Sequence, residues 1–150
     1  MADYLQKTLD LARKSLDAGG FPAGAVLVTK SGTVYESNAA LARADYHGET
    51  MVIDAAVEAE GAPLAGAVLY GTYEPCLMCS AKMYWAGVTS SHFIIPKSEA
   101  DAAFVYEDAQ EMQQHLGNFF TQITKTNDSA LLGQALQLYA SWHKKITNNS

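Results

Sequence analysis

Cys76 and Cys79 are the only two cysteines of the chain, and they stand three apart behind Pro75. Residues at i and i+3 share one face of a helix. Placed at a helix start, both sulfurs can reach one metal ion at about 2.3 Å. The N-terminal end of a helix also favours the thiolate form, and proline fits at or just before the first helical turn, where its missing N–H costs nothing. His47 lies 29 positions upstream (76 − 47 = 29), at the start of another predicted helix, and is the natural third ligand. Glu49 follows two positions later. Close to a helix end it can reach a group bound at the metal without ligating the metal itself.

Three protein ligands with one position left open describe a catalytic zinc rather than a structural one. Such an ion lowers the pKa of water from about 15.7 to about 7 and makes hydroxide available at neutral pH. A neighbouring carboxylate can take the proton and pass it to a departing group. An amine leaving an aromatic carbon needs that donor, because amide ion is too basic to leave. The set His47, Glu49, Cys76 and Cys79 therefore fits hydrolytic deamination. Taken alone, C-x-x-C also fits a redox pair. A structural zinc knot would need a fourth ligand, and His92, His115 and His143 read as ordinary surface or edge histidines.

The bulk properties narrow the setting. A chain of 150 residues predicts one domain, 1–150, and 49% hydrophobic residues are enough for a core without disulfide or metal staples. No run approaches the roughly 20 apolar residues of a membrane span. The first twenty residues carry charges throughout and lack the apolar core of a secretion signal, so a cytoplasmic location without membrane association is expected. The net charge of −6 disfavours a polyanionic partner, since affinity for nucleic acid rests largely on cationic contacts to phosphate. A small molecule is the expected partner.

Elements must carry these residues to one place. Leu5, Leu9, Ala12 and Leu16 recur at helical spacing over 3–16, with Gly19-Gly20 as the stop. Residues 23–29 form an apolar run of buried-strand type, 30–32 a turn and 33–37 a returning strand. Asn38 to Tyr46 shows no period and reads as a loop. A helix is predicted over 47–60, a strand over 67–73, a helix over 76–86 and a strand over 92–95 stopped by Pro96. Phe104–Tyr106 reads as a short strand, 107–116 as a short helix and 128–145 as a long helix capped by Asp128 or Ser129. The alternation indicates an α/β layered fold with crossover helices.

His47-Gly48-Glu49 followed by Pro75-Cys76-Leu77-Met78-Cys79 resembles the zinc-deaminase signature H-x-E…P-C-x-x-C. The likeness runs over about Pro22 to Ile95 and includes Phe21–Val26, Asn38, Leu69-Tyr70 and Met83–Ala86. Within the cytidine-deaminase-like superfamily the chain is most similar to guanine deaminases, fungal cytosine deaminases and tRNA adenosine deaminases. That resemblance implies a three-layer α/β/α sandwich with a five-stranded mixed sheet, assembled as a homodimer or larger homo-oligomer. It assigns Zn2+ to His47, Cys76 and Cys79 and proton transfer to Glu49. It implies that Asn38 hydrogen-bonds the ring, that the N–H groups of Gly48 and Cys76 orient substrate or water, and that Asp101 to Tyr106 lines the pocket. The gap from Asn38 to His47 is about two residues shorter than the family pattern. Tyr73, Trp85, Phe104, Tyr106 and Trp142 read as core by default, since aromatics dominate cores, and of them Tyr73, just before the metal turn, is the best placed to stack on a ring. The expected reaction releases ammonia from an exocyclic amino group. Tyr84-Trp85-Ala86 and Asp101–Tyr106 point to a guanine-type base, and the glycine of His-Gly-Glu points to a cytosine-type one. Two other readings stay open, a tRNA adenosine deaminase and a non-catalytic zinc or redox C-x-x-C module.

Overall fold

Ala25, Val26 and Leu27 have no exposed surface, so the strand that carries them, β1 (Gly24–Val28), must be covered on both faces. It lies inside a sheet of five strands in the order β2-β1-β3-β4-β5. β1 runs antiparallel to β2 (Val34–Asn38) and to β3 (Val68–Tyr73). β3, β4 (Ser90–Ile95) and β5 (Gln122–Lys125) run parallel. The computed structural model describes residues 3–38, 46–99 and 119–148, with Asn38 and Ile146 described by backbone alone.

Helices cover the sheet on both sides, and the strand period of two divides β1 between them. Ala25 and Leu27 join Val52, Ile53 and Ala56 of α2 (Gly48–Glu60), Met83 and Ala86 of α3 (Leu77–Ala86), and Leu69 of β3 in one core cluster. Gly24 faces the other way, against Leu11 and the carbonyl of Thr8 on α1 (Tyr4–Asp17). On that side Leu9 meets Leu131 and Ala135 of α4 (Ser129–Asn148) and Ile94 of β4. Each large side chain fully withdrawn from water, such as Leu27, Ile53 or Leu69, contributes roughly 2 kcal/mol.

The helices start where capping side chains allow. Asp3 accepts from Gln6 N at 3.0 Å at the head of α1, and Asp128 Oδ1 accepts from Ala130 N and Leu131 N at 3.0 and 3.1 Å at the head of α4. Each bond satisfies an N–H that has no partner within the helix. Gly87 ends α3 in the left-handed region, with φ 78°, which glycine adopts without strain.

The architecture is the expected α/β sandwich, with four differences in detail. Asn38 ends β2 opposite Gly24 rather than opening a loop. β4 begins at Ser90, two residues before the apolar run, because Val68 and Gln122 flank it with ladder partners whatever its side chains. α4 continues beyond 145 to Asn148. The fifth strand, β5, has no apolar alternation and escapes the sequence pattern, being a four-residue edge strand. The short strand and helix read at 104–116 lie outside the described residues.

Candidate metal centre

The parallel pair β3 and β4 needs a crossover, and α3 supplies it. The chain leaves the carboxyl end of β3, turns at Pro75, and enters α3 with Cys76 as its N-cap. The Cys76 sulfur accepts from the N–H of Cys79 at 3.3 Å. α2 starts beside it, with His47 as N-cap and its carbonyl held by Met51 N at 3.0 Å and Thr50 Oγ1 at 2.8 Å. Two helix starts therefore meet at the carboxyl edge of β3, the usual place for ligands in α/β sheets.

His47 Nδ1 lies 3.5 Å from the Cys76 sulfur and 3.6 Å from that of Cys79, and the two sulfurs are 3.3 Å apart. The three ligand atoms all fall within 4.8 Å of one another, and both cysteines are buried. Two cysteine sulfurs and an imidazole converging around buried cysteines are a donor set that suits zinc. No fourth His, Cys, Asp or Glu joins the group among the described residues.

Glu49 is 9% exposed on the first turn of α2. Burial pushes its carboxyl up to about 7, and the Cys76 charge adds to the rise, while its own N–H, His47 and the Cys79 thiol pull the other way. The Cys76 thiol is drawn down to about 5, chiefly by hydrogen bonding from Cys79 and also by His47, against the opposing effect of burial. The Cys79 thiol is pushed up by its bond to Cys76 and by burial.

His47, Cys76, Cys79 and Glu49 are brought together as the spacing predicts. Gly48 is buried as the first residue of α2, and a Cβ there would touch Ala25 at 3.5 Å. Asn38 is placed at the end of β2 by its backbone. Tyr73, at the end of β3, is 6% exposed, and its ring lies 5.1 Å from that of Phe21 and 6.4 Å from that of Tyr139. Asp101 and Tyr106 lie outside the described residues. His92 stacks on Tyr70 at 5.4 Å and His143 on Tyr139 at 6.2 Å, apart from the centre. Sequence reasoning did not single out Gly71, which lies beside Glu49: a Cβ there would make ordinary contact with Glu49 Oε1 at 3.4 Å and press on the Tyr73 carbonyl at 3.0 Å. A glycine inside a β-branched strand was the available sign.

Known proteins resemble the chain in sequence and in fold. A guanine deaminase of Bacillus subtilis (strain 168) is 28% identical over 133 residues, covering 82% of this chain and 85% of that protein. A tRNA-specific adenosine deaminase of the same organism is 37% identical over 81 residues, covering 51% of this chain and 50% of its own. Among solved structures, one from a study of A-to-I editing by tRNA:A34 deaminases at the wobble position of transfer RNA superposes with a TM-score of 0.67 at 26% identity, covering 89% of this chain and 96% of that one. The family model described as the cytidine and deoxycytidylate deaminase zinc-binding region matches residues 1–95. With its His, Cys and Cys converging inside that matched stretch, the chain belongs to the family of the cytidine and deoxycytidylate deaminase zinc-binding region.

Proposed function

We propose that the protein is a zinc-dependent aminohydrolase that removes an exocyclic amino group from a free nucleobase-like heterocycle, guanine or an aminopurine on one side and cytosine or an aminopyrimidine on the other. The observation that carries this reading is the convergence of His47, Cys76 and Cys79 beside the buried Glu49. His47, Cys76 and Cys79 would hold one zinc ion. Bound there, zinc supplies a Lewis acid that makes water nucleophilic at neutral pH. Glu49 takes a proton from the attacking water and delivers it to the amino nitrogen. The ring carbon gains oxygen, its bond to nitrogen breaks, and ammonia leaves. Asn38, Gly48 and Tyr73, with Asp101 and Tyr106, are the proposed substrate-side groups. What supports Gly48 is its place next to His47, where the first N–H of α2 has no partner within the helix.

A small base is favoured over RNA by the net charge of −6. The likeness to a tRNA:A34 deaminase structure supports RNA as a second reading, which salt-sensitive binding of tRNA would establish. A homodimer or larger homo-oligomer is proposed with either substrate. Trp85, 80% exposed on α3 beside Tyr84, supports association through that helix, and sedimentation checks it.

The test is ammonia release by the metal-quantified protein across guanine, cytosine, isocytosine, adenine, aminotriazines, creatinine and their nucleosides. Release from one compound, lost in Glu49→Gln with zinc retained, is the expected result. A protein that holds zinc but leaves the whole panel untouched would overturn the free-base reading.

A further inference from the structure

Glu74 stands between the last residue of β3 and Pro75, where the sequence pattern marks only the end of a strand. Its N–H donates to the carbonyl of Ile95 at 2.9 Å. Its Oε2 accepts from the N–H of Lys97 at 2.8 Å. Lys97 opens a single 3-10 turn (Lys97–Glu99) directly after Pro96. Glu74 thus bonds backbone groups on both sides of a proline that has no N–H of its own to offer. Through Pro75, whose φ is fixed by its ring, Glu74 is two residues from Cys76.

We propose that Glu74 is a positioning residue for the metal centre. Its carboxylate ties the Pro75–Cys76 turn to the chain leaving β4 and so holds the Cys76 sulfur in reach of His47 and Cys79. The proposal rests on the zinc-deaminase reading above. Three observations carry it. A carboxylate accepting from a backbone N–H makes a charge-assisted bond, about twice as strong as a neutral one, and this one is only partly exposed. Pro75 is buried, so the turn has little freedom to swing independently of its anchor. Leu77, the residue after Cys76, is exposed, so side-chain packing secures the turn from the inside only.

The bond can be removed from either end. Glu74→Ala deletes the acceptor. Lys97→Pro deletes the donor at the first position of a helical turn, where proline is tolerated. Glu74→Gln keeps an acceptor oxygen without the charge. Zinc affinity is read by competition with a chromophoric chelator, and kcat and KM are read by ammonia release from the substrate the panel identifies. Glu74→Ala and Lys97→Pro are each expected to weaken zinc binding about tenfold, in the range for groups that orient metal ligands, and to lower kcat with little change in KM. Glu74→Gln should stay within about threefold of the unsubstituted protein, because the bond persists. The double variant Glu74→Ala/Lys97→Pro should be no worse than either single change, since both remove the same contact.

The proposal is overturned if either single variant keeps full zinc affinity and turnover, if Glu74→Gln is as damaging as Glu74→Ala, or if the double loss is the sum of the two. Should Glu74→Ala fail to fold, Lys97→Pro and Glu74→Gln decide the matter. An unsubstituted protein that neither binds zinc nor releases ammonia overturns the functional reading and this proposal with it. Intact zinc binding and turnover that ignore the Glu74–Lys97 bond overturn the proposal alone.

Discussion

Gly24→Ala tests the packing of β1, the strand behind the metal centre, against α1. A Cβ added at Gly24 would lie 2.5 Å from Leu11 Cβ, 2.6 Å from the Thr8 carbonyl oxygen and 3.2 Å from Ala12 N. Carbon atoms in contact sit at about 3.5–4.0 Å, so α1 must retreat by about 1–1.5 Å. Neither obstructing atom can rotate aside, because one belongs to the backbone and the other is fixed by it. Retreat would loosen Leu9 and Ala12, both fully buried, and lengthen the Thr72 Oγ1 bond to the Thr8 carbonyl, now 3.3 Å. Overpacking costs about 1–3 kcal/mol, and two immovable neighbours place this change at the upper end, about 3 kcal/mol. At about 2–4 °C per kcal/mol for a chain of this size, the melting temperature should fall by about 6–12 °C in a circular dichroism melt. The urea midpoint should drop with an unchanged slope. A melting temperature within about 2 °C of the original would refute the described seat of α1 on β1.

Other outcomes follow from single groups. Among the described residues the buried hydroxyl of Ser91 has no hydrogen-bond partner, so Ser91→Ala should leave stability unchanged or raise it by up to about 1 kcal/mol. Ser15→Ala, which deletes a donor to the Phe21 carbonyl, should cost about 1 kcal/mol, and denaturant titration separates the two. Burial raises the Asp54 carboxyl, but bonds from Lys82 and Tyr46 outweigh it and hold it below its ordinary value. A lowered carboxyl stabilises the fold above the unfolded value, about 3.9, and that contribution disappears as pH falls through the folded value. The stability gap between the unsubstituted protein and Asp54→Asn should therefore be open at pH 7 and narrow below about pH 4. A gap of constant size across that range would show that the ion pair does not set it. Chelation should lower the melting temperature and zinc should restore it. With free zinc at about 1,000 times Kd the gain is about 4 kcal/mol, or about 8–16 °C. A melt indifferent to zinc, or equally responsive in His47→Ala, would remove the metal centre as described.

The candidate metal centre was legible because its residues are local. Cys76 and Cys79 declare their relation by a three-residue spacing, and His47 and Glu49 by a two-residue one. The helices that begin at these motifs announce themselves by proline, glycine and apolar period. What was illegible depends on partners far away in the chain. β5 is a strand because the edge of β4 offers it a ladder, not because Gln-Ile-Thr-Lys alternates. Ser90 and Ser91 extend β4 for the same reason. That the ring of Tyr73 has Phe21 and Tyr139 as neighbours depends on the packing of α4 and is not written in its place before the metal turn.

The sequence by itself therefore determined the candidate His, Cys and Cys group, the acidic residue beside it and the order of the elements, since residue type and short spacing suffice for those. Tertiary structure alone decided that ligand atoms carried on two helix starts 29 positions apart (76 − 47 = 29) lie within 4.8 Å of one another, that Gly71 packs beside Glu49, and that Glu74 reaches across to Lys97. These are long-range relations, and the packed sheet that brings them together follows from burial of the whole chain, which no local pattern records.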